Sequence, residues 1–103
     1  MAIPVLPLAL IVPLVIAVAD KVPTFNTEAT CRGGMGSPGL DERYGRCMKE
    51  EADARATLEA QWAQYPGGDR SLCTQTARIG APSYVELLTC LQMQAEARKL
   101  PKN

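Results

Sequence analysis

The stretch 80–90, GAPSYVELLTC, brings a serine, a tyrosine and a cysteine close together and so suggests nucleophilic chemistry by Ser83, Tyr84 or Cys90. Such a nucleophile needs a neighbouring general base, and the chain contains no histidine, the commonest one. Ser83 and Glu86 instead fit a capping box, in which Ser83 accepts a hydrogen bond from the Glu86 amide while Glu86 reaches back to the helix start. We therefore interpret this stretch as the start of a helix and predict no catalytic residue in it.

A second group, Glu50, Glu51 and Asp53, has the residue types that perform acid–base chemistry, because paired carboxylates can exchange protons with a substrate. These carboxylates are interleaved with arginine and lysine along a helical stretch. Alternating charges of this kind are typical of a solvent-exposed helix face. The sequence therefore predicts a solvated surface here.

The third group is Trp62, Tyr65 and Arg70, at the end of the longest helical stretch and just beyond it. The two aromatic side chains are expected to pack in the core or at its rim, because they bury a large apolar area. Tryptophan, tyrosine and arginine also dominate the energetics of protein interfaces. If the protein binds a partner, these three residues are the predicted contact.

Four cysteines, at positions 31, 47, 73 and 90, are separated from one another by fifteen or more residues. Structural zinc sites use close cysteine pairs, and thioredoxin-like centres use C-x-x-C, so disulfides are favoured over metal ligation and over labile redox thiols. If the last two helices form a hairpin that turns near Ala81, Cys73 and Cys90 lie at nearly the same height. This geometry favours the pair Cys73–Cys90 and leaves Cys31–Cys47 to attach the preceding arm to the long helix.

The pattern along residues 40–103 predicts an all-α fold, a small three-helix domain in which two disulfides join the parts. Apolar residues at helical spacing predict a long helix over about 40–65, a short one over about 69–79 and a third over about 84–99. Asp69 is the expected cap of the short helix, and Gly80 is expected to end it. The residues expected on its inner side are Leu72, Cys73, Thr76 and Ile79. Residues 20–39, which include RGGMGSPG, are predicted to form an irregular arm.

Residues 1–19 carry no charged side chain and end in Ala17-Val18-Ala19, which is the pattern of a signal peptide cleaved before Asp20. The alternative is a membrane anchor through residues 3–19, although three prolines would weaken a spanning helix. Cleavage predicts a periplasmic or secreted protein without stable membrane association. The 11 basic and 11 acidic residues balance, which does not favour nucleic-acid binding.

The segment Cys47–Met93 contains W-x-x-Y-P-x-x-D-R-x-x-C followed by P-S-Y-V-E-L-L-T-C-L. In this pattern it resembles a group of small exported four-cysteine helical proteins of Gram-negative bacteria, a group that brings no known activity. The segment Cys31–Tyr65 is also similar, more distantly, to lysozyme-inhibitor-like helical domains. RGGMGSPG replaces the polar helical turn of those domains, and no inhibitory residue carries over.

Together these observations predict a binding or structural module of the cell envelope rather than an enzyme. Its expected partner is an envelope protein, and inhibition of a cell-wall enzyme is one activity it would fit. No cofactor and no metal is expected. The alternative is a thiol redox protein, or a small enzyme that uses a reactive cysteine.

Overall fold

A computed structural model describes residues 21–33 and 40–101 of the 103-residue chain, and the signal-peptide prediction for residues 1–19 lies outside these ranges. The described helices are α1 (Thr27–Arg32), α2 (Leu40–Gln61), α3 (Gly67–Ala77) and α4 (Tyr84–Arg98), and a 3-10 turn over Trp62–Gln64 follows α2. No strand occurs in these two ranges, which confirms the predicted all-α class. No helix within them is long and apolar enough to cross a membrane.

Helix α1 lies inside the arm that the sequence predicts as irregular. The side chain of Asn26 caps it by accepting a hydrogen bond from the Ala29 amide at 3.4 Å. Glu28 in the first turn and Arg32 in the last turn suit the helix dipole. Six residues are too few for a stable isolated helix, so α1 depends on tertiary contacts that the local sequence does not reveal.

Helix α4 is the central element, because α2 and α3 both pack against it. The core lies between these three helices and also takes in Phe25 from the segment before α1. The apolar residues whose helical spacing predicts the long helix include Ala54, Leu58 and Trp62, and these three are buried. The other core residues are Cys73, Ala77, Tyr84, Leu87 and Leu91.

The inner face of α3 differs from the prediction. Its buried residues include Asp69, Cys73 and Ala77 at steps of four, whereas Leu72 and Ile79 are 51% and 77% exposed. The predicted inner side is confirmed at Cys73 and wrong at Leu72, Thr76 and Ile79, which are exposed. The small side chains of Cys73 and Ala77 let α3 lie close to α4. The expected cap, Asp69, lies inside the helix, which begins after Pro66 instead.

The turn between α3 and α4 contains Gly80 with a φ of 79°, in the left-handed region that favours glycine. The predicted left-handed Gly80 is present, but α3 ends earlier than predicted, at Ala77 with Arg78 as its C-cap, so Gly80 shapes the turn that follows the helix and does not end the helix itself. Thr30 of α1 donates a hydrogen bond of 2.5 Å to the carbonyl oxygen of Pro82 in the same turn. The turn is therefore connected to α1 as well as to the two helices it joins.

Candidate functional site

Ser83 acts as a helix cap. Its hydroxyl accepts a hydrogen bond of 3.2 Å from the Glu86 amide, as the capping box predicts, and donates one of 2.7 Å to Oε2 of Glu51. The side chain is buried, and both interactions are internal to the fold. Ser83 is therefore engaged in structure rather than presented to a substrate.

Glu51 does not face solvent, so the prediction of a solvated cluster is wrong at this residue. It is 4% exposed, and its carboxylate accepts hydrogen bonds from the Tyr84 amide at 2.6 Å and from the Val85 amide at 3.4 Å. The carboxylate that accepts from the first amides of α4 thus comes from α2, whereas Glu86 in the first turn of α4 is exposed. Glu50 and Asp53 are exposed, as predicted.

Tyr84 attaches the segment before α1 to the core. Its hydroxyl accepts a hydrogen bond of 2.8 Å from the Phe25 amide and donates one of 2.9 Å to the carbonyl oxygen of Pro23. Its ring centroid lies 4.8 Å from that of Phe25. The tyrosine of the GAPSYVELLTC stretch is therefore a structural residue.

All four cysteines of the chain are bridged, in the pairs Cys31–Cys47 and Cys73–Cys90 that the sequence analysis favours. Each pair has one fully buried member, Cys31 or Cys73, and one half-buried member, Cys47 or Cys90. The two disulfides indicate an oxidising, extracytoplasmic environment. Within residues 21–33 and 40–101 no group of acidic or cysteine side chains has the arrangement of a metal site.

The aromatic group at the end of α2 is divided between core and surface. Trp62 is 5% exposed, and the Arg70 guanidinium carbon lies 5.8 Å from the centroid of its ring. Tyr65 is half-buried, and its hydroxyl donates a hydrogen bond of 2.8 Å to Oε1 of Gln61. Trp62 thus contributes mainly to the core, and Tyr65 and Arg70 remain partly accessible to a partner.

Asp69 and Arg98 join the first turn of α3 to the last turn of α4 through a bidentate ion pair. The hydrogen bonds from Arg98, with a smaller electrostatic contribution from its charge, hold the pKa of Asp69 below its ordinary value of 3.8 against the opposing effect of desolvation. The pair explains why Asp69 is buried inside α3 instead of capping it. It holds the end of the helix hairpin opposite the Gly80 turn.

The outward side of α4 carries exposed apolar residues. We define the α4 surface as Val85, Thr89, Met93 and Leu100; Met93 and Leu100 are 66% and 67% exposed. Val85, Thr89 and Met93 follow one another at steps of four, so they lie along one side of the helix. This side is not evident in the sequence, because the leucines at 87, 88 and 91 dominate the hydrophobic pattern.

Three shallow grooves surround the α4 surface, and Thr89 lines all of them. The first, of about 440 Å³, lies over Met93 and Leu100. The second, of about 410 Å³, extends to Thr76 of α3, and the third, of about 330 Å³, lies between α2 and α4 beside Leu88. Together they form a continuous, largely apolar surface that can accommodate an extended ligand.

Comparisons with protein-family models, with curated proteins and with solved structures find no match to this chain. The two resemblances suggested by the sequence therefore remain predictions. Inference about function rests on the geometry of the described residues.

Proposed function

We propose that this protein is a disulfide-locked helical binding module that acts outside the cytoplasm, in the periplasm or after secretion, and contacts a protein partner through the α4 surface. The observation that carries the proposal is the exposure of Met93 and Leu100 beside the connected grooves. Contiguous exposed apolar patches on small soluble proteins commonly mark interaction sites. Ser83, Tyr84 and Cys90, by contrast, are engaged in capping, packing and a disulfide.

The surroundings of α4 support this role because the helix is held along its whole length. Glu51 fixes its first turn, the Cys73–Cys90 disulfide fixes its middle, and Asp69 holds Arg98 at its end. A surface that is rigid before binding loses less conformational entropy when a partner docks. This arrangement suits a module whose function is binding.

The specific activity that the lysozyme-inhibitor-like resemblance implies is occlusion of a cell-wall enzyme. A module of this kind can block such an enzyme by docking beside its active site, without any catalytic group of its own. We include this activity in the proposal as its most specific form.

Affinity capture from an envelope extract tests the proposal when it compares two double variants. Met93→Gln/Leu100→Gln removes apolar contacts from the α4 surface and keeps good helix formers at exposed positions. Leu72→Gln/Ile79→Gln is the matched control, because these residues are similarly exposed but line none of the three grooves. We expect the wild type and the control to retain the same partner and the first variant to lose it.

Equal capture by all three proteins would contradict the role of the α4 surface.

Alkylation of the native, unreduced protein tests the alternative of a redox protein or thiol enzyme. We expect no labelled cysteine, because all four sulfurs are in disulfides. Labelling of one or two cysteines in the folded protein would favour the alternative instead.

A further inference from the structure

We propose that the partner segment that docks on the α4 surface is a basic, amphipathic helix; this inference rests on the function proposed above. Its apolar face would cover Met93 and Val85, and its lysine or arginine side chains would meet the carboxylates at the edges of the grooves. An amphipathic helix laid on an apolar groove is a recurrent mode of peptide recognition.

The charge of the groove edges carries the inference. The three grooves have no lysine or arginine among their lining residues, and every charged residue that lines them is acidic: Glu50, Asp53, Glu86 and Glu96. These carboxylates come from two helices, α2 and α4, and lie on both sides of the α4 surface. The surface therefore combines apolar contact with negative potential at its edges.

Two of the four carboxylates already have cationic partners. Asp53 accepts from Lys49 at 2.7 Å, and Glu96 accepts from Lys99 at 3.1 Å. Within the described residues Glu50 and Glu86 form no ion pair, and both are exposed. The negative charge that has no cationic partner thus lies near the start of α4. A basic side chain of a docking partner would form its most favourable electrostatic interactions there.

The dimensions of the surface fit one helix. Helix α4 has 15 residues and spans about 22 Å at 1.5 Å per residue, which corresponds to about four turns of a partner helix. Thr89 lines all three grooves, and one of them lies between α2 and α4, so a helix laid over Thr89 would contact α4 and the flank of α2 together. This placement would bring Glu50, on the α2 side, and Glu86, on the α3 side, to opposite edges of the partner's apolar face.

Two other occupants fit less well. A second copy of this chain would place acidic groove edges against acidic groove edges, because both copies carry the same carboxylates. An anionic lipid surface would be repelled by Glu50 and Glu86 in the same way. Charge complementarity therefore selects a basic polypeptide.

The test uses the oxidised protein and a synthetic leucine–lysine peptide of about 18 residues whose apolar residues follow the helical period. Binding is measured by titration calorimetry, and backbone amide shifts locate the contact. We expect shifts centred on Thr89 and Met93, and an affinity that falls as salt is raised from about 50 to about 300 mM. A peptide with glutamate in place of lysine is expected not to bind.

Charge reversal of the groove edges is the decisive variant. Glu50→Lys/Glu86→Lys should weaken binding of the leucine–lysine peptide about tenfold, since two exposed attractions become repulsions. Glu42→Lys/Glu59→Lys is the matched control, because it makes the same change in net charge at residues that line none of the three grooves. We expect the control to change the affinity by less than about threefold.

Equal weakening by both double variants, absence of peptide binding, or equal binding of the glutamate peptide would overturn the inference. Self-association that Met93→Gln/Leu100→Gln abolishes would also overturn it, in favour of a second copy as the occupant. The experiments distinguish failure of the proposed binding function from failure of the proposed basic partner. Envelope capture that depends on Met93 and Leu100 but not on Glu50 and Glu86 would leave the binding function intact and reject the basic partner.

Discussion

The carboxylate of Glu51, in the middle of α2, accepts a hydrogen bond of 2.6 Å from the backbone amide of Tyr84, the first residue of α4. The two residues are 33 positions apart in the sequence. A buried carboxylate on one helix thus satisfies the free amides at the start of another and lies at the positive end of its dipole. This contact fixes the orientation of α4, whose outer side carries the proposed binding surface.

Replacing Glu51 by alanine should lower the free energy of unfolding by about 2–3 kcal/mol, because buried donors at the start of α4 lose a charged acceptor. Urea unfolding followed by circular dichroism measures the change. Glu50→Ala is the control, since the neighbouring carboxylate is exposed, and it should change stability by less than about 0.5 kcal/mol. Equal effects of the two substitutions would contradict the capping role of Glu51.

Tyr84→Phe should release the segment around Phe25 while the three-helix core stays folded. The variant loses the hydroxyl that bonds the Phe25 amide and the Pro23 carbonyl, at an expected cost of about 1–2 kcal/mol. Chymotrypsin should therefore cleave after Phe25 faster than in the wild type. Tyr65→Phe, which loses a half-buried hydroxyl elsewhere, should leave that cleavage rate unchanged.

The Asp69–Arg98 pair predicts an acid-sensitive contribution to stability. Because the folded state holds the pKa of Asp69 below 3.8, this contribution is fully present above that pH and is lost as the pH falls through the lower folded value. The melting temperature of Asp69→Asn should therefore lie below that of the wild type at about pH 7, and the difference should shrink toward about pH 2. Asp53→Asn, in an exposed pair, should show a much smaller difference at every pH.

Replacing Gly68, at the start of α3, or Gly80, in the turn after it, by alanine should change the stability of the protein in opposite directions. Gly80→Ala forces a Cβ into the left-handed region and should destabilise the protein by about 1–2 kcal/mol. Gly68→Ala lies in the first turn of α3 with open space around the new methyl group, and should stabilise it by about 0.4–1 kcal/mol. Thermal unfolding of both variants checks the signs, and a stabilising Gly80→Ala would contradict the assigned turn.

The sequence predicted those parts of the fold that depend on interactions between residues close together in the chain. The helical period along 40–65 and the Ser83 cap depend on residues within a few positions of each other, and the structure confirms both. Gly80 is left-handed as predicted, although α3 ends before it, at Ala77. The disulfide pairing also followed from local geometry, since a helix hairpin fixes the relative heights of Cys73 and Cys90.

Local sequence signals did not predict correctly which side of α3 faces the core. The hydrophobic pattern placed Leu72 and Ile79 beside Cys73 on the inner face, yet the structure buries Asp69 and Ala77 with Cys73 and leaves the two larger side chains exposed. The disulfide to Cys90 and the ion pair to Arg98 both lie on α4, and together they determine this orientation of α3. The spacing of the cysteines predicted the disulfide, but Arg98 lies 29 positions from Asp69, so no local pattern revealed the ion pair.

By itself the sequence determined the helical class, the approximate bounds of the three longer helices and the cysteine framework, because period, caps and spacing are properties of neighbouring residues. Only the tertiary structure decided that Glu51 is a buried cap and that Val85, Met93 and Leu100 are exposed beside the grooves along α4. Burial depends on which helix faces approach each other across the fold. That choice is set by the packing of the whole domain and not by any one segment.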